Sequence, residues 1–114
     1  MPKRSDGDLD GVFQALADPT RRAVVERLGR GPASTTELAR PFAMALPSFT
    51  QHLGVLERCG LVTSHKQGRV RTYRLADGPL VTAQDWLAAR RSHWERRLDQ
   101  LDAHLITTTK ETSP

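Results

Sequence analysis

Between Pro47 and Gly60 the chain reads PSFTQHLGVLERCG. Phe49, Leu53 and Leu56 recur at spacings of four and three, which puts them on one side of a helix. The side left over presents Ser48, Gln51 and His52, with Thr50 nearer its edge. Hydrogen-bonding side chains on an outward helix face suit the reading of base edges in a nucleic-acid groove. Gln51 is able to make a bidentate contact to adenine, and His52 to reach a base or a phosphate. Two plainer readings stand beside this one. Such a face is often only solvated, and a histidine beside Leu53 often serves as a buried structural hydrogen-bonder.

A second group of residues follows. From Arg58 to Ala76 come Arg58, Lys66, Arg69, Arg71 and Arg74, with no acidic residue among them. Lys66, Arg69 and Arg71 bracket Gly68, where long cationic side chains meet phosphate or enter a minor groove. On an edge strand the same side chains block aggregation equally well. Next to a helix able to read bases, they favour a polyanionic partner.

Other chemistries lack their residues. No Ser or Cys nucleophile comes with a matched His and carboxylate, and there is no phosphate-cradling glycine loop and no closed metal site. The single cysteine, Cys59, excludes an internal disulfide framework and a single-chain cysteine cluster for zinc. At the end of an apolar helix it packs as a small hydrophobe. His93 and His104 stand about three helical turns apart, too far to chelate together in one chain. The sequence therefore implies no catalytic residues, no metal and no cofactor.

The elements that must position these residues are mostly helical. Leu9, Val12, Phe13 and Leu16 predict an amphipathic first helix over Asp8 to Ala17. Asp18-Pro19 starts a second helix, with Ala23, Val24 and Leu28 on one face and Gly29 and Gly31 at its end. Ser34-Thr35-Thr36-Glu37 has capping-box spacing and opens a short third helix that carries Leu38 inward and stops near Pro41. The fourth helix runs from near Pro47 to a glycine cap at Gly60. Residues 61–66 and 70–75, alternating around Gly68, predict a β-hairpin. From Pro79 a long helix extends to about Leu105. On it Leu80, Leu87, Trp94 and Leu101 recur every seven residues, flanked by Leu98 and Leu105. With no later element to cover it, that stripe calls for a partner chain.

Length and charge agree with this layout. A chain of 114 residues has room for one small domain, expected at 8–106 between flexible tails at 1–7 and 107–114. Its 17 Lys and Arg against 13 Asp and Glu give a formal charge of +4, which permits a polyanionic partner. No apolar run approaches a membrane span, and MPKRSDGD carries no apolar signal core, so a cytoplasmic protein without a membrane partner is expected.

The segments ALADPTRRAVVERL, STTELARPFAMALPSFTQHLGVLERCGLV and HKQGRVRTYRL resemble the ArsR-type winged-helix transcriptional repressors. The likeness spans roughly Leu9 to Leu105. It implies a mostly α fold with a small β-hairpin wing, a winged helix-turn-helix that dimerises through its first and last helices. It further implies a homodimeric repressor on double-stranded DNA, acting by operator occlusion, with its own promoter a candidate site. Carried over residue by residue, Ser48, Thr50, Gln51 and His52 form the recognition helix face, and Lys66, Arg69 and Arg71 the wing contacts. Leu9, Phe13, Leu87, Trp94, Leu98, Leu101 and Leu105 form the dimer interface. The alternative from another class is a winged-helix protein-interaction module without specific DNA binding. Departures from the family matter too. Thr36 to Pro41 offers no thiolate where many members sense metal through cysteines in the third helix. Asp102-Ala103-His104 matches only the first half of another metal site, and two ligands close no tetrahedron. The likeness is thus to a subgroup without the cysteine metal motif, and any small-molecule effector stays unspecified. Trp86 and Trp94 suit interface anchors better than a ligand pocket. Ala45 stands where relatives commonly carry serine, which weakens the cap of the fourth helix and removes one phosphate contact.

Overall fold

The computed structural model describes residues 6–112, with side chains from Leu9 to Leu105. Residues 1–5 and 113–114, parts of the two expected tails, lie outside the described residues. Packing divides the chain into two units, one reaching Ala83 and one beginning at Gln84. The first unit contains α1 (Asp6–Leu16), α2 (Pro19–Leu28), β1 (Ala33–Ser34), α3 (Thr35–Ala39), α4 (Leu46–Arg58), β2 (Val62–Gln67) and β3 (Val70–Leu75). It also takes the opening turns of α5 (Asp77–Thr112).

Each helix end has a local chemical reason. Asp18 caps α2 by accepting the Arg21 backbone N–H at 3.1 Å, and Pro19 occupies the first turn, where its missing N–H is harmless. The predicted capping box closes α3: Ser34 Oγ accepts from the Glu37 N–H, and Glu37 Oε1 accepts from the Ser34 N–H at 2.9 Å. Ser34 also holds the Glu37 carboxyl below the ordinary glutamate range, first through its backbone N–H and then through its hydroxyl. Helix α4 ends where Gly60 turns left-handed at φ +83°, and the N–H groups of Gly60 and Leu61 return to the carbonyls of Glu57 and Leu56, both at 3.0 Å. Those two bonds make a complete Schellman motif.

The first unit buries one continuous apolar cluster. Phe49, Leu53 and Leu56 of α4 are fully buried, and around them sit Val12, Ala15, Val24, Leu28, Leu38, Leu61 and Val62. Leu80 and Ala83 bring the first turns of α5 to the same cluster. Cys59 is half-buried against it, its thiol donating to the Leu56 carbonyl at 3.4 Å.

The expected hairpin is present as β2 and β3. Among the described residues β1 joins it, giving three antiparallel strands in the order β1-β3-β2. Ala33 pairs with Tyr73 and Ser34 with Thr72. A two-residue strand shows no alternation, so its partner alone reveals it. At the hairpin tip Gly68 has φ +63° while Arg69 keeps a negative φ, the pattern of a two-residue type II′ turn.

The second unit is the remainder of α5. Its backbone stays helical to Thr112, past the boundary expected near Leu105. Leu87, Trp94, Leu98, Leu101 and Leu105 are all exposed on it. Arg90 lies over the Trp86 ring at 5.2 Å, and Arg91 pairs with Glu95 at 3.5 Å.

Candidate nucleic-acid interface

Helices α3 and α4, joined by a turn over 40–45, form the expected helix-turn-helix. The inward side of α4 is fixed by Phe49, Leu53 and Leu56, so Ser48, Thr50 and Gln51 are exposed together on its first two turns. Thr50 commits its hydroxyl proton to the Pro47 carbonyl at 3.0 Å, which leaves the oxygen as an acceptor. At the N-cap, Ala45 has extended backbone and gives no side-chain hydrogen bond. The opening N–H groups of α4 thus lack a side-chain cap, at the positive end of the helix dipole.

His52 is placed differently from its three neighbours. Its side chain is only 23% exposed, and Nδ1 meets Arg21 Nη1 at 3.0 Å. Arg21 does more than this. Its Nε donates to the Ala15 carbonyl at 2.7 Å and its Nη2 to the Gln14 carbonyl at 3.2 Å. One guanidinium therefore closes the end of α1 and ties α2 to α4. Arg22 adds a bond to the Leu16 carbonyl at 2.8 Å. The Asp18 carboxylate stands 3.7 Å from His52 Nδ1. Burial pushes the Asp18 carboxyl up, but the Arg21 N–H, the His52 ring when protonated, the Arg21 guanidinium and the Thr20 N–H together hold it below the ordinary aspartate range. Sequence reasoning missed Arg21 as a site-building residue. Its place one turn after the N-cap was visible, whereas its partner lies 31 residues away.

On the wing, Lys66 and Arg71 are directly opposed across the β2–β3 ladder, both exposed. Arg69 is exposed in the turn beside them. Arg71 Nη1 donates to Ser64 Oγ at 2.9 Å, and Ser64 donates to Glu57 Oε2 at 2.8 Å. This chain aims Arg71 from the last turn of α4, a link that sequence reasoning also missed. Arg74 pairs with Thr63 and so faces the other side of the sheet. Leu9 and Phe13 of α1 are half-buried against the core of their own unit. Among the described residues no three His, Cys, Asp or Glu side chains gather where a metal ion would sit.

Known proteins are similar to this chain in sequence and fold. A helix-turn-helix domain family matches residues 16–65. The HTH-type transcriptional regulator Rv2034 of Mycobacterium tuberculosis is 48% identical over 66 residues, which are 58% of this chain and 62% of that protein. The crystal structure of the ArsR family transcriptional regulator RHA00566 superposes with a TM-score of 0.77 at 52% identity, covering 82% of this chain and 97% of that one. The homodimeric winged helix-turn-helix DNA-binding domain of Mb0332 from Mycobacterium bovis superposes with a TM-score of 0.60 at 26% identity, over 84% of this chain and 95% of that one. With an outward polar face on α4, a cationic wing and these relatives, the chain belongs to the ArsR family of helix-turn-helix transcriptional regulators.

Proposed function

We propose that the chain is a homodimeric repressor that covers a partly palindromic operator. The observation that carries this reading is the exposed Ser48, Thr50 and Gln51 face of α4 together with the opposed Lys66 and Arg71. Like charges directly across a ladder repel, so their presence favours a partner that neutralises both. In this reading α4 enters the major groove, Gln51 and His52 face bases or phosphate, and Arg69 and Arg71 of the wing lie along the backbone. Two protomers place their recognition helices about one DNA turn apart, roughly 34 Å. Bound there, the dimer blocks access to the promoter, acting in the cytoplasm and without a catalytic step.

The exposed row of Leu87, Trp94, Leu98, Leu101 and Leu105 supplies the apolar surface for a second copy, with Leu9 and Phe13 of α1 contributing.

The test is fluorescence anisotropy on DNA from the upstream region of the chain's own gene, with scrambled competitor and salt from about 50 to 200 mM. Tight, competitor-resistant binding that saturates at two chains per site supports the proposal. Arg69→Ala should weaken all sequences alike and lower the salt slope by roughly 1 for each phosphate it no longer neutralises. Gln51→Ala should cost about 1–3 kcal/mol at one operator position. Salt-insensitive binding to a protein partner, with no bound fragment in a genome-wide selection, would instead establish the interaction-module reading.

A further inference from the structure

The hydrogen-bond geometry around His52 specifies which proton the recognition helix offers. A guanidinium only donates hydrogen bonds. With Arg21 Nη1 at 3.0 Å, Nδ1 of His52 must accept, and a proton there would face an N–H. Asp18 is too far from Nδ1, at 3.7 Å, to take such a proton in a hydrogen bond. The neutral ring therefore carries its proton on Nε2. Among the described residues no protein partner meets Nε2, and no buried side-chain nitrogen or oxygen of theirs lacks one. Nε2 thus reaches solvent, on the helix whose neighbouring Ser48 and Gln51 are exposed.

We propose that Arg21 is a positioning residue for DNA recognition, holding His52 as a pure Nε2–H donor toward an acceptor on the duplex. The acceptor is a phosphate oxygen or a base acceptor such as purine N7, guanine O6 or thymine O4, and never the amino group of cytosine or adenine. This rests on the DNA-binding reading above. Arg21 itself lies on α2 and acts through His52.

Two substitutions separate the ring's two nitrogens. His52→Asn keeps an acceptor near Nδ1 for Arg21 but has nothing at the Nε2 position. His52→Gln places an amide donor near Nε2. Anisotropy with the tightest duplex selected by the wild-type chain from a randomised library should show His52→Asn about tenfold weaker at unchanged thermal unfolding. His52→Gln should recover part of that affinity. Equal weakening on all duplexes identifies phosphate as the acceptor, and weakening at one base pair identifies a base edge. Ring 15N spectra of the wild-type chain in alkaline buffer should show His52 protonated at Nε2 and bare at Nδ1, and Arg21→Met should mix the two tautomers. A proton on Nδ1 in the wild type overturns the proposal even where Arg21→Met fails to fold. So does a His52→Asn chain that binds as the wild type does, while the DNA-binding reading survives. A wild-type chain that selects no duplex overturns both.

Discussion

The wing yields a prediction in which stability and binding move in opposite directions. Lys66 and Arg71 face each other in register at the exposed end of the sheet. Like charges so placed destabilise a ladder by up to about 1 kcal/mol. The lower half of that range applies, because both side chains are solvated. Arg71 is also drawn toward Ser64, and Ser64 toward Glu57. Lys66→Glu removes the repulsion and creates an opposed pair, so the unfolding free energy should rise by about 0.5 kcal/mol, or roughly 3 °C in melting temperature. DNA should respond the other way. With one phosphate fewer neutralised by each protomer, the salt slope of a dimer falls by about 2, and the new carboxylate repels the backbone besides. Affinity at about 50 mM salt should fall at least ~tenfold. Thermal melts at fixed protein concentration, paired with anisotropy titrations at several salt concentrations, measure both effects. A variant that melts lower while binding DNA with an unchanged salt slope would overturn both halves of the prediction. The two cations would then serve the hairpin and not a polyanion.

Three further outcomes follow from other parts of the fold. Ala45 already has the extended backbone of an N-cap but no capping side chain, so Ala45→Ser should raise stability by about 1 kcal/mol, read as a higher urea midpoint. Leu53 is fully buried among apolar neighbours, and Leu53→Ala should cost about 3 kcal/mol in the same assay. The folded-state pKa of Asp18 is depressed, so its stabilising contribution is complete above the ordinary aspartate pKa and is lost as pH falls through the folded value. Asn caps a helix as well as Asp does. Asp18→Asn should therefore lose less stability than the wild type between about pH 5 and pH 3, and equal acid slopes would remove Asp18 as a source.

Local chemistry explains which parts were legible in the sequence. Helix ends depend on residues within one turn, so the Asp18 cap, the Ser34–Glu37 box and the Gly60 stop were readable and are present. The spacing of Phe49, Leu53 and Leu56 fixed the buried side of α4, and with it the outward place of Ser48, Thr50 and Gln51. The exposed leucine and tryptophan row on α5 was readable for the same reason, since a helical period needs no knowledge of the partner.

Tertiary structure decided what joins distant segments. Strand β1 is too short to carry a pattern, and only pairing with β3 makes it a strand. The contact of Arg21 with His52 spans 31 residues, and it commits one ring nitrogen of a histidine that the sequence offered either to DNA or to a buried structural hydrogen bond. The Arg71–Ser64–Glu57 chain likewise exists because hairpin register and the end of α4 bring three separate elements together. Periodicity and capping fix which face a residue occupies. The hydrogen-bond partner on that face is chosen by chain packing in three dimensions, where the energy of an unpaired polar group depends on what folding brings beside it.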